Sequence, residues 1–128
     1  MMSNHDFEAL CDKIFSISPS IRFAGVVTSM GSLVSGGMRK GLDSMETKDD
    51  SSRLYIEFAL ISEIRKDYDS TFGKAIYSFT EREKIKLASF PLGDNYILRI
   101  SINKEERNHI NIIENILNII RDQYQYQK

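Results

Sequence analysis

Apolar residues along this chain follow two rhythms, one helical and one alternating, and their order is the main guide to its fold. Residues 5–17 place Phe7, Leu10, Cys11, Ile14 and Phe15 at helical spacing, with Ser3 or Asn4 as a cap and Pro19 as a stop. Residues 21–28, IRFAGVVT, are apolar on both sides of the pleat, the pattern of a central strand covered on both faces. Ser29, Met30 and Gly31 read as a turn, a second strand follows over 31–36, and Gly36-Gly37 ends it. The polar, acidic stretch DSMETKDDSS over 43–52 is the one long loop and supplies helix N-caps.

A central helix is expected over 53–70, ending near Gly73. Its Leu54, Tyr55, Ile56, Phe58, Ala59, Leu60, Ile61 and Ile64 cover nearly the whole circumference of the first three turns. A helix on one sheet needs a single apolar stripe, so this one is expected to be covered on more than one side. Three strand-like runs follow over 74–80, 84–91 and 95–102, the second ending at Pro91. The last helix opens at Asn103, with Glu106 as a capping-box partner, and buries Ile110, Ile113, Ile116, Leu117 and Ile120. The polar tail over 121–128 is expected to fray.

This order predicts one α/β (α+β) domain over 1–128, arranged α-β-β-α-β-β-β-α around a five-stranded antiparallel sheet. The crossover helix takes one face and the terminal helices take the other. Composition adds exclusions. With 17 Lys and Arg against 18 Asp and Glu, the net charge of −1 gives no bulk attraction to nucleic acid or anionic lipid. The lone Cys11 excludes an internal disulfide and reads as a buried small hydrophobe. No run reaches the roughly 18 apolar residues of a membrane span, and MMSNHDFEA is not a secretory signal, so a cytoplasmic protein is expected.

The order of elements, with an AGVV–turn–Gly hairpin at 24–37 before the crossover helix, resembles the roadblock/dynein-light-chain family and its longin relatives. The chain is also similar to small uncharacterised archaeal proteins carrying AGVV (Ala24 to Val27), GGMR (Gly36 to Arg39), RLYIEFAL (Arg53 to Leu60) and LASFP (Leu87 to Pro91). The roadblock resemblance implies a homodimer formed by pairing crossover helices and neighbouring edge strands. In some members such dimers are platforms for small GTPases. The longer acidic loop and the aromatic start of the crossover helix are departures from simple roadblock proteins.

The expected function is therefore a non-enzymatic homodimeric scaffold or regulatory module. Leu54, Tyr55, Phe58, Ile61 and Tyr77 are the expected dimer interface. The alternative is a small-molecule or anion sensor of profilin- or PAS-like architecture. Tyr55, Phe58, Tyr77 and Phe79 could line a sheet–helix pocket, although ordinary core and dimer packing is the favoured reading of them. In the loop GGMRKG, Gly36 and Gly37 can aim backbone N–H groups while Arg39 and Lys40 add charge, which is the chemistry of an anion cradle. The same glycines equally serve only to let the chain leave the strand. No catalytic residue, metal ligand set or cofactor is expected. His5 and His109 are isolated, Leu33 occupies the first Gly position of a GxSxG elbow, and the carboxylates Asp49-Asp50, Glu81 and Glu83 fall in expected loops.

Overall fold

A computed structural model describes residues 4–124. The expected cap Ser3, the side chain of His5 and the tail beyond Tyr124 lie outside the described residues. Helix α1 (Asn4–Phe15) leads into β1 (Ile21–Thr28) and β2 (Leu33–Met38). Helix α2 (Lys48–Arg65) continues through a 3-10 turn (Lys66–Tyr68) into the short α3 (Asp69–Phe72). Strands β3 (Ser78–Glu81), β4 (Ile85–Leu92) and β5 (Tyr96–Asn103) precede α4 (His109–Tyr124).

The strands form one antiparallel sheet in the order β2-β1-β5-β4-β3. The outermost strands are therefore the second and the third in sequence. β5 lies at the centre, with Ala24 and Val26 of β1 opposite Ile100 and Leu98. These four, with Ala88 and Phe90 of β4, pack against Phe7, Leu10, Cys11 and Ile14 of α1 and Ile112, Ile113 and Ile116 of α4. Helix α2 takes the opposite face, in agreement with the sequence pattern.

Several boundaries differ from expectation, each for a local reason. Gly36 and Gly37 lie inside β2 rather than ending it. At Gly36, φ is +84°, and a β-carbon there would stand 2.1 Å from the Ala24 carbonyl oxygen and 2.9 Å from Cys11 Sγ. Only glycine lets β2 run this close to β1 and α1. Helix α2 starts five residues early because Thr47 caps it, its hydroxyl accepting from the Asp50 N–H at 3.1 Å, while Asp49 and Asp50 sit in the positive first turn.

β3 is shorter than the expected 74–80, and residues 74–77 belong to no strand. Its ladder stops at Ser78 opposite Ser89, and Pro91 beyond that point has no N–H to donate. Asn103 closes β5 instead of capping α4. Glu106 is not part of a capping box: its carboxylate accepts from Ser20 Oγ at 2.6 Å and from the Asn108 N–H at 2.9 Å. These two bonds hold its carboxyl below the usual carboxylate range. Because α4 starts at His109, its inward row is Ile112, Ile113 and Ile116, and Ile110 is exposed.

Candidate functional site

The α2 face of the sheet is chemically unlike the α1/α4 face. From β1, β4 and β5 it presents Phe23, Val27, Leu87, Ser89, Ile97, Arg99 and Ser101. Arg99 is only 1% exposed. Its guanidinium meets Glu46, with Nη2 at 2.7 Å from Oε2 and Nη1 at 3.4 Å from Oε1, and it lies under the rings of Phe23, Tyr55 and Phe58 at 4.9, 5.4 and 5.5 Å. Glu46 also accepts from Ser51 Oγ at 2.8 Å, so one carboxylate ties the loop before α2, the first turn of α2 and the central strand together. Burial pushes the Tyr55 hydroxyl up from its ordinary value, with the charge of Arg99 working against it.

This cluster shows where part of the expected interface lies. Tyr55 and Phe58 face the sheet over Arg99, and Leu54 and Ile61 are half-buried along the flanks of α2. Tyr77 is exposed and stacks on Phe90 at 6.0 Å. The apolar residues that α2 leaves in solvent are Ile56, Leu60 and Ile64, at 49, 59 and 61% exposure. They are spaced four apart and form one row. The row continues in sequence through Tyr68 and Phe72 to Ile76, all exposed. Met30, at the tip of the β1–β2 hairpin, is exposed beside it, since the neighbouring Gly31 packs on Ile56. Only Ala59 is buried on the entire helix. The all-round apolarity of the sequence thus divides into a sheet-facing aromatic set and an outward aliphatic row. Residue types alone do not show that division.

The second candidate, the GGMRKG loop, is held from within. Arg39 donates through Nε to the Ile21 carbonyl at 2.7 Å and through Nη2 to the Phe15 and Ser18 carbonyls at 2.8 and 2.7 Å. Its guanidinium also stacks over the Phe15 ring at 4.9 Å. It thereby closes the end of α1 onto the start of β1, while Lys40 is exposed. Gly36 and Gly37 are paired opposite Gly25 and Ala24 within the sheet.

His109 stacks on Phe79 at 4.6 Å, and its Nδ1 lies 3.1 Å from Lys86 Nζ. The Cys11 thiol is buried, which pushes it up to about 12, the behaviour of a packing residue. Among the described residues no group of three or more His, Cys, Asp or Glu is placed to hold a metal, and no helix is long and apolar enough to cross a membrane.

Solved structures share this arrangement. The gliding protein MglB from Thermus thermophilus matches with a TM-score of 0.71 at 7% identity, covering 98% of this chain and 94% of that one. A roadblock/LC7 domain from Streptomyces avermitilis matches with a TM-score of 0.62 at 14% identity, over 90% and 94%. An MglB in a tetrameric arrangement matches with a TM-score of 0.66 at 8% identity, over 95% and 93%. At these identities the likeness establishes the fold alone, which is that of roadblock/LC7 and MglB proteins. No curated protein matches the chain. A family model does match, over residues 2–125, and the chain belongs to that family, DUF6659, a family of unknown function.

Proposed function

We propose that this chain is a non-enzymatic interaction module that forms a homodimer through the outer row of α2. The observation that carries the reading is Ile56, Leu60 and Ile64, three aliphatic side chains in one line and each about half or more exposed. Soluble monomers seldom leave so regular an apolar line in water, and burying one such side chain contributes roughly 1.5–3 kcal/mol. A second copy related by a two-fold axis presents the same row and covers it isologously. The outer edge of β3 supports the same arrangement, because pairing with its symmetry mate satisfies an open strand. The MglB solved in a tetrameric arrangement shows that this fold self-associates in at least one other protein.

The dimer is read as a cytoplasmic platform for a further protein, a small GTPase in the version that the roadblock resemblance supplies. The test is Leu60→Asp, chosen over Ile61→Asp because Ile61 is half-buried and Leu60 is not. The variant is expected to be a folded monomer with wild-type circular dichroism. A variant that remains dimeric refutes the assigned face. The second reading, a small-molecule or anion sensor, is favoured by one observation, a cleft beneath the C-terminal half of α2.

A further inference from the structure

Two features of the fold combine to open that cleft. β3 stops pairing at Ser78, so β4 has no neighbour on that side from Phe90 onward. Helix α2 above it buries only Ala59. The result is a space of about 650 Å³, within the roughly 300–1,000 Å³ typical of small-molecule sites. Ala59, Ser62 and Arg65 of α2 line one side, Ser89 and Ile97 of the sheet line the other, and Ile76 closes the flank. The lining therefore mixes aliphatic surface with serine hydroxyls, unlike the uniformly aliphatic outer row of the same helix.

Its lining carries one more cation than carboxylates. Arg65, Lys66, Lys74 and Arg121 line it against Glu63, Asp69 and Asp94. Lys66 and Glu63 pair with each other at 2.9 Å, and Lys66 also donates to the Asp94 carbonyl at 3.1 Å. Arg65 donates instead to the hydroxyl of Ser78, a neutral partner, from α2 across to β3. A guanidinium satisfied by a hydroxyl keeps its full charge and its planar fork, and both suit a carboxylate, sulfonate or phosphate oxygen pair.

We propose that this cleft binds a small amphiphilic anion, an apolar body lodged between Ala59, Ile76 and Ile97 with its acidic group on Arg65. The site goes beyond the dimer reading: Ile56, Leu60 and Ile64 take no part in the lining, and Ile76, where the outer row ends, is the one residue the two share.

The probe is anilinonaphthalene sulfonate, an aromatic anion that fluoresces in apolar surroundings, titrated into the wild-type protein. Saturable binding of one probe per chain is expected. Arg65→Ala should weaken it by about tenfold or more, the loss of one charge-assisted contact. Ser62→Phe should abolish it by filling the cleft, with circular dichroism to show that the fold is kept. Phenylnaphthylamine, the probe's body without the sulfonate, should bind at least about tenfold more weakly. Leu60→Asp should leave binding unchanged even though it breaks the dimer. Absence of saturable binding overturns the proposal, as does equal binding of the uncharged probe. So does binding that survives both Arg65→Ala and Ser62→Phe, or binding lost with Leu60→Asp alone, which would place the probe on the outer row.

Discussion

The two faces of the sheet are built on different principles. Under α1 and α4 the contact is largely apolar: Phe7, Leu10, Ile14, Phe90, Leu98, Ile100 and Ile116 are all at 0–1% exposure. Under α2 the sheet presents Arg99, Ser89 and Ser101, and the helix returns aromatic rings, one alanine and a carboxylate from the preceding loop. Side chains in the first face are held by complementary volume, which is insensitive to charge and intolerant of a missing atom. The second face adds one ion pair and several ring contacts to the apolar side chains of Phe23, Val27, Leu87 and Ile97, and α2 keeps apolar surface to spare. A helix apolar around most of its first three turns thus buries only Ala59, because its apolar residues are divided between the sheet and the outside.

The contrast can be broken most sharply by truncation. Phe90→Ala should lower stability by about 3–5 kcal/mol, the usual cost of an emptied aromatic site. Leu60→Ala on the outer row should leave the stability of an isolated subunit within about 0.5 kcal/mol, as for other surface changes. Chemical denaturation of both variants, at chain concentrations low enough for the wild type to be monomeric, measures the gap. Equal losses would show that the outer row of α2 is packed like the core and not left to solvent.

Next in size is the ion pair. Glu46→Leu leaves a buried guanidinium without its counter-charge, and breaking such a pair from one side costs about 3–5 kcal/mol in a fully buried setting. Glu46 is itself 21% exposed, so a loss of about 2–3 kcal/mol is expected, and Arg99→Met added to it should recover part of that. A double variant no better than Glu46→Leu would show that the pair is not what docks α2.

How much of this is legible in the sequence depends on whether local pattern and burial agree. β1 is legible to the residue, because IRFAGVVT is apolar on both faces and is buried on both. KAIY at 74–77 is likewise apolar at consecutive positions, yet it belongs to no strand, and Ile76 and Tyr77 are exposed. Its apolar residues serve an outer surface, and pattern alone cannot tell inside from outside. Arg99 has a visible signal, a single cation between Leu98 and Ile100 in an apolar strand, and the sequence reading misses it. Its partner Glu46 stands in a loop of several acids, and only the fold selects that one. Arg39 in its glycine-rich loop reads as one part of a candidate anion cradle, weighed against a purely structural role for the glycines, and the fold turns it back onto three carbonyls of its own chain.

The smallest expected effect concerns pH and lies outside both faces, at the β5–α4 turn. Hydrogen bonds from Ser20 and Asn108 depress the Glu106 carboxyl below its unfolded value of 4.5. A depressed carboxyl contributes stability that is present above the unfolded pKa and is lost as pH falls through the folded one. Melting temperature should therefore decline more steeply below about pH 4.5 in the wild type than in Glu106→Gln. Parallel acid profiles would mean that the turn does not need the charge.

In the proposed dimer the outer row of α2 is covered by a second copy of the chain. Light scattering on the wild type from about 1 to 100 μM tests it most directly, since a dissociation constant of 100 μM corresponds to only roughly 5–6 kcal/mol of association free energy. Twice the chain mass is expected at the upper concentrations, and the single-chain mass throughout for Leu60→Asp. A wild type that stays at the single-chain mass at about 100 μM would contradict it.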